Sequence, residues 1–581
     1  MPLNHVDAIR VILQAQGLDG FIQPRNDEFL GEYVPPSAER LAWLTGFTGS
    51  AGLAIVLADR AAVFSDGRYT LQLAEQTDPA IWERLHIIET KPEDWLRANA
   101  RQGARIGYDP WLMSANTVEK FTEAGITLIP CENPIDEAWQ NRPAPPAAPA
   151  QPHALEFAGE PAEKKRARIG AAIGADGADA VLLTDPHAIA WLFNLRGADL
   201  PHTPIVLATA LLRRDGSATL YIDPAKLTDS VRGHLGEGVA MVPRSSMVQS
   251  FSGLRGQRIR LDPATAPIRY TQILGELGAI TVSGDDPCVL PRAMKNQVEQ
   301  EGARAAHHRD AIAMCKFIAW FTETAPTGAL KELSAGAKLR EFRAAAPEFR
   351  AESFAPISGA GEHGAIIHYS ATKASNRPIR PNEIYLIDSG GQYPDGTTDI
   401  TRTLWTGPDT PPPEIRERYT RVLAGHIALA RARFPDGTTG PMLDALARAP
   451  LWEAGLDYDH GTGHGVGSYL SVHEGPVSFH RLAKPVPLAP GMILSDEPGY
   501  YQEGGYGIRL ENLLLVRESP IRARKRFLEF ETLTLAPFDT RLIDFSLLDP
   551  PARAWLESYH ARIRTEIFPL LDPPIRQILA A

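Results

Sequence analysis

Apolar and polar positions along the chain run twice through the same series. A stretch with helical spacing leads into the apolar run "GLDGFIQP" from Gly17, and a second such stretch leads into "GADAVLLTDP" from Gly177. Short apolar runs bounded by Gly, Asp and Pro predict buried strands. "ERLAWLTGF" from Glu39 and "HAIAWLFNL" from His187 follow, then β-rich segments ending in "RAAVFSDGRY" and "SATLYIDPAK". The recurrence predicts two related α/β domains. The Pro/Ala-rich run "NRPAPPAAPAQPHA", residues 141–154, lies between them. It can neither continue a helix nor donate to a ladder, and it predicts a stiff linker.

Near residue 299 the texture changes. Ala311, Met314, Cys315, Ile318 and Phe321 recur at helical spacing, so a long amphipathic helix is expected to open a third, larger domain. His307 and His308 on this helix point about 100° apart and predict a solvated face rather than a metal pair. After Asp549, "PPARAWLESYHARIRTEIFPLL" is again amphipathic and predicts a helix packed on the body or on a second subunit.

Composition narrows the classes. With 581 residues, 44% hydrophobic and 22% charged, the chain has the make-up of a folded multidomain protein. A net charge of -11 without a long basic cluster argues against nucleic acid or an anionic membrane as partner. No window is long and apolar enough for a membrane span, and the N-terminal residues lack a signal-peptide pattern. The three cysteines, Cys131, Cys288 and Cys315, are too far apart for a zinc pair or a disulfide framework. A cytoplasmic protein with reduced thiols is the expectation.

The chemistry gathers in three stretches. In "EIYLIDSGGQYPDGTTDITRTLW" an apolar run reaches Asp388, a Pro-Asp-Gly turn follows, and Asp399 begins an alternating run. A hairpin about that turn sets Asp388 and Asp399 nearly opposite, with one bulge. In "ILSDEPGYYQEGGYGIRLENLLLV", Glu497 and Glu511 are equidistant from Gly504 in the turn, so a second hairpin presents a second carboxylate pair. Arg509, on the same strand face as Glu511, can offset surplus charge. Adjacent buried carboxylates stay ionised only with a cation or a shared proton.

Between the hairpins, "DYDHGTGHGVGSYLSVHEGP" places His460, His464 and His473 in a glycine-rich loop, and His368 ends the run "GAIIHYS". Four acids with one or more imidazoles suit two divalent ions, with Mn, Co, Zn and Fe all admissible. Two such ions roughly 3.5–4 Å apart activate a water and steady an oxyanion, which implies hydrolysis of a carbonyl compound.

At these residues the chain resembles the aminopeptidase P family, the X-prolyl aminopeptidases of pita-bread fold, in its three-domain form. The likeness runs nearly the full length, through "GFTGSAG", "FSDGRYTLQ", "LRGADLPHTP", "DSGGQYPDGTTDITRT", "HGTGHGVGSYLSVHEGP", "DEPGYY" and "GIRLEN". It implies a mixed α/β (α+β) architecture: creatinase-type domains at 1–145 and 153–298, a pita-bread metallopeptidase domain at 299–530, and a C-terminal extension at 531–581 for packing or dimerisation. It assigns Asp388, Asp399, His464, Glu497 and Glu511 as ligands of two ions, most often manganese, with Asp399 and Glu511 bridging.

The same resemblance gives His368 and His473 to the peptide around the scissile bond, and His460, Tyr501 and Arg509 to the proline pocket. It gives Glu497 the proton transfer. It implies release of the N-terminal residue from peptides with proline second, and a homodimer. Prolidase shares the ligands but takes dipeptides; methionine aminopeptidase is shorter; creatinase dispenses with the metals. Pita-bread binding modules have lost ligands that this chain keeps. In "LRGADLPHTP", Arg196 and His202 belong either to the site's entrance or to a structural loop.

Overall fold

The computed structural model describes residues 4–580. Its packing divides the chain into two units. One comprises residues up to His153 with Glu160–Val289, the other Ala154–Gly159 with Leu290 onward.

The first unit contains two six-stranded sheets of the same topology, which accounts for the repeated apolar series. In the first, Gly20–Pro24 lies at the centre, antiparallel to Leu53–Leu57 and parallel to Arg105–Tyr108. Ala61–Ser65 and Glu83–His86 extend one side, and Thr127–Pro130 the other. The second sheet repeats this order around Ala180–Leu183, with Thr209–Arg213 antiparallel and Arg258–Leu261 parallel to it. Successive strand residues face opposite ways. Phe21 therefore packs with Val6, Ile9 and Leu13 of the first helix, while Ile22 packs with Trp95, Leu96 and Phe121 on the other face. Burial of both faces is why these strands read as continuous apolar runs.

The end of the linker is tied down: Gln151–Pro152 pairs with Leu195–Arg196. Arg196 is buried and donates to the carbonyls of Ala190 and Leu195, so within this unit it holds its own loop together.

The second unit opens with the expected long helix, Gln297–Thr324, started by a capping box between Asn296 and Glu299. The five positions read at helical spacing are all buried. His307 departs from the expectation: it is 2% exposed, with its Nδ1 2.7 Å from the Ala303 carbonyl, while His308 pairs with Glu566. The helix is covered on more than one side, so its 307 face does not reach solvent.

Three strands, Ile357–Ala360, Ile384–Ser389 and Ile400–Trp405, form one antiparallel sheet of this unit. Arg433–Pro435, Phe527–Thr532, Asn512–Glu518 and Ile493–Asp496 form another. The helices Pro413–Ala430 and Pro550–Glu566 close a core that joins Ile384 and Trp405 to Tyr419, Val422, Leu556 and Ile563. Among the described residues, no helix is long and apolar enough to cross a membrane.

Candidate metal centre

Two hairpins supply the acids, and their registers differ in how well the sequence foretold them. In the second, Asp496 pairs with Asn512 and Gly499 with Arg509, so Glu497 and Glu511 lie directly opposite, as expected. In the first there is no bulge. Tyr393 pairs with Gly396 across a two-residue turn, and the same register carries Asp388 to Thr401. Asp399 is therefore diagonal to Asp388, two residues along the same face. The tight turn fixes this, since loop length sets hairpin register. Gly390 lies where the ladder opens beside Asp399. A Cβ there would lie 1.9 Å from the Thr398 carbonyl oxygen, so no larger residue fits.

The glycine-rich loop brings its histidines to the acids by close backbone approach. A Cβ on Gly463 would lie 1.9 Å from the Ser495 carbonyl oxygen, beside the strand that ends at Asp496. That contact carries His464 to the site: its Nε2 is 3.5 Å from Asp399 Oδ2 and 3.4 Å from Glu497 Oε1. Its Nδ1 donates to the Gly465 carbonyl at 3.0 Å, which leaves the Nε2 lone pair facing the acids, the tautomer a metal requires. The His473 ring stands edge-on to His464, centroids 4.3 Å apart. One ligand atom each from Asp399, His464 and Glu511 lie within 4.8 Å of one another.

The unpaired oxygens decide whether these residues suit divalent ions. Asp388 Oδ1, Asp399 Oδ1 and Glu511 Oε1 are all buried without a hydrogen-bond partner, while their sister oxygens are engaged or face the histidine. Thr401 Oγ1 donates to Glu511 Oε2 at 2.8 Å, and Arg509 Nη2 donates to Asp388 Oδ2 at 2.8 Å. A buried carboxylate oxygen left unpaired costs free energy. Three such oxygens in one acidic cluster, with four acids against one guanidinium, make a donor set suited to divalent cations.

Electrostatics agree. Burial, then the charges of Asp388 and Glu497, hold the Asp399 carboxyl well above its usual range. Burial, then Asp399, does the same to Glu511. Glu497 is raised from 4.5 to about 7, mainly by burial, against the opposing pull of Arg509.

Beside the acids runs a hydrogen-bonded chain. His460 Nδ1 donates to the Gly461 carbonyl, so its Nε2 accepts from the Tyr501 hydroxyl at 2.8 Å. Tyr501 in turn accepts from Arg509 Nη1 at 2.7 Å. Arg509 Nη2 also donates to the Ile367 carbonyl, which places the segment carrying His368 against the same guanidinium. Asp388, Asp399, His460, His464, His473, Glu497, Tyr501, Arg509 and Glu511 thus belong to one region of the second unit, with the residue before His368 against it, whereas Arg196 and His202 lie in the first unit.

Comparison with known proteins follows the same lines. The model of metallopeptidase family M24 matches residues 301–518, and its C-terminal region matches 526–579. Models of the creatinase/prolidase N-terminal domain match 5–138 and 141–299. Aminopeptidase P2 of Arabidopsis thaliana is 38% identical across 96% of this chain and 84% of its own. A probable Xaa-Pro aminopeptidase P of Sordaria macrospora is 37% identical across 98% and 97%. The chain belongs to the X-prolyl aminopeptidases of metallopeptidase family M24.

Among solved structures, the X-prolyl aminopeptidase of Caenorhabditis elegans, described as a cytosolic enzyme with a di-nuclear active site, superposes with a TM-score of 0.93. It is 31% identical and covers 99% of this chain and 98% of its own. An Xaa-Pro dipeptidase of Bacillus anthracis shares the fold over only 65% of this chain, with a TM-score of 0.53 and 22% identity.

Several residues around this family site escape a sequence reading. Arg402, fully buried, donates to the Glu511 carbonyl at 2.7 Å, to Asn512 Oδ1 at 2.9 Å and to the Ala536 carbonyl at 2.7 Å. His426 stands 3.3 Å from Asp496 Oδ2 and accepts from Asn512 Nδ2 at 3.0 Å. The one available signal was an arginine inside the apolar alternation of "DITRTLW".

A pH prediction follows from the raised acids. Glu497 binds its proton more tightly folded, at about 7, than its ordinary 4.5. Between those values the folded state holds more protons than the unfolded one, so stability falls as pH rises. Asp399 and Glu511 act in the same direction. Divalent ions held by these acids would take the place of those protons. The rise in melting temperature on adding manganese to chelator-treated protein is therefore expected to be larger at pH 8 than at pH 5.5. An equal or smaller rise at pH 8 would contradict this origin.

Proposed function

We propose that this chain hydrolyses the bond between an N-terminal residue and a following proline, using two divalent ions held by Asp388, Asp399, His464, Glu497 and Glu511. The observation that supports this most directly is the set of buried, unpartnered oxygens of Asp388, Asp399 and Glu511 in a cluster where ligand atoms of Asp399, His464 and Glu511 lie within 4.8 Å of one another. Following the family resemblance, Asp399 and Glu511 would contribute to holding both ions, Asp388 to holding one, and Glu497 with His464 to holding the other. When bound, such ions polarise the scissile carbonyl and acidify the attacking water.

The side chains do the rest. Glu497, held by Ser495 Oγ at 3.2 Å, takes the proton of the attacking water and delivers it to the proline nitrogen. A bond to proline is a tertiary amide without an N–H, so substrate recognition must come from elsewhere. His368 and His473 hydrogen-bond the peptide around the scissile carbonyl and stabilise the charge that develops there. His460, Tyr501 and Arg509, locked by their mutual hydrogen bonds, line the pocket for the proline ring. The free α-amino group binds beside Asp388, which limits action to the first residue.

Manganese is the favoured metal, with cobalt, zinc and iron as the other candidates that this ligand chemistry admits. A cytoplasmic location rests on the cytosolic C. elegans relative. A homodimer is supported by the helix Gly440–Trp452, whose charged Asp444 and Arg448 are buried while Met442, Leu446 and Trp452 are 66%, 38% and 47% exposed. An outward face this apolar fits a second copy of the chain. Met442→Glu is expected to convert dimer to monomer in sedimentation velocity; an unchanged sedimentation coefficient would remove this face from the interface.

The deciding experiment measures release of arginine from Arg-Pro-Pro and from Arg-Pro, after chelation and after manganese is restored. Metal-dependent cleavage of the tripeptide, with little on the dipeptide, is expected. Cleavage confined to Arg-Pro would make the enzyme a prolidase, and none with Mn, Co or Zn would leave a binding module.

A further inference from the structure

His368 sits in a long segment between two strands, residues 361–383, with few regular elements to hold it. One side chain from elsewhere reaches this region at four points between residues 360 and 377. Glu332, the first residue of the helix Glu332–Ala344, is 0% exposed. Its Oε1 accepts from the Ala360 backbone N–H at 3.0 Å and from His363 Nδ1 at 2.8 Å. Its Oε2 accepts from the Tyr369 hydroxyl at 2.9 Å and from the Arg377 N–H at 3.2 Å. Four donors spread over residues 360–377 thus meet on one carboxylate.

The consequence for His368 follows from its neighbours. Ile367, just before it, is held through its carbonyl by Arg509 Nη2 at 3.3 Å. Tyr369, just after it, is held through its hydroxyl by Glu332. The backbone of His368 is therefore pinned on one side to the residue that also binds Asp388, and on the other to a helix with no part in the ligand set. We propose that Glu332 is a positioning residue for His368, fixing the imidazole by clamping Ala360, His363, Tyr369 and Arg377. This rests on the functional reading above, in which His368 touches the substrate.

Replacement by glutamine keeps the shape but turns an N–H towards donors that need an acceptor, so the clamp must open. Misplacing a catalytic group by about 1 Å costs up to roughly a hundredfold in rate. Glu332→Gln and Tyr369→Phe are compared with the parent enzyme, alone and combined with His368→Ala, on Arg-Pro-Pro with bound manganese measured in each preparation. Expected is a roughly ten- to hundredfold lower kcat for Glu332→Gln and a smaller fall for Tyr369→Phe. KM and metal content should be unchanged, and the residual turnover of His368→Ala should fall no further.

Full turnover in both single variants, an equal loss in the His368→Ala background, or a loss explained by missing metal would overturn the proposal. Tyr369→Phe removes one hydroxyl, and so carries the test if Glu332→Gln does not fold. Absence of cleavage by the parent enzyme would defeat the functional reading itself, a different result from a parent that cleaves and a Glu332→Gln variant that is undiminished.

Discussion

Asp399→Asn is expected to abolish manganese-dependent cleavage of Arg-Pro-Pro while making the metal-free protein more stable. The two effects share one cause. Asp399 is 4% exposed, crowded by Asp388 and Glu497, and one of its oxygens has no partner. Without ions that arrangement is strained by burial and like charge, which an amide relieves. In the proposed site it would be the centre of the ligand set, where an amide is a neutral, weaker ligand. Loss of about 4 kcal/mol of transition-state stabilisation, in the range that metal catalysis supplies, corresponds to about 10³-fold in kcat/KM. Kinetics and metal content on one side, and melting of the chelator-treated protein at pH 8 on the other, check the pair. Near-parental activity, or a metal-free variant less stable than the parent, would show that Asp399 does not lie at the centre of the site.

Arg402→Met should destabilise the second unit by about 3 kcal/mol or more, because it strips several buried acceptors of their donor at once. Arg402 donates to the carbonyls of Thr401, Glu511 and Ala536 and to Asn512, and its guanidinium carbon stands 4.4 Å above the Phe538 ring. Methionine fills much of the volume but donates nothing. Because Thr401 and Glu511 are among the residues released, metal affinity should fall with stability. Urea unfolding with and without manganese would measure both. A loss below about 1 kcal/mol, within the ordinary range for a single hydrogen bond, would mean that these carbonyls find other donors.

How legible the site was depended on how local its determinants are. Glu497 and Glu511 could be paired from the sequence because one hairpin with a glycine-rich turn connects them, and the register is what symmetry about Gly504 requires. Asp388 and Asp399 were brought to the same hairpin, but their offset depended on which turn residues are unpaired, and the structure moved Asp399 one pleat along. His464 was chosen among the histidines of its loop by resemblance alone. What sets it apart physically is the close approach of Gly463 to Ser495, which turns its Nε2 to Asp399 and Glu497, whereas the Nε2 of His460 is taken by Tyr501; spacing reveals neither.

By itself the sequence determined the repeated N-terminal sheets, the long capped helix, the two acid hairpins and the histidine loop between them. All of these rest on periodicity, turn residues and caps acting over a few residues. The tertiary structure alone decided which oxygens are left unpaired, the burial of His307, and the partners of Arg402, His426 and Glu332. Those contacts join residues as far apart as Arg402 and Tyr559. A buried polar group must find a partner, but nothing in its own neighbourhood along the chain says which one.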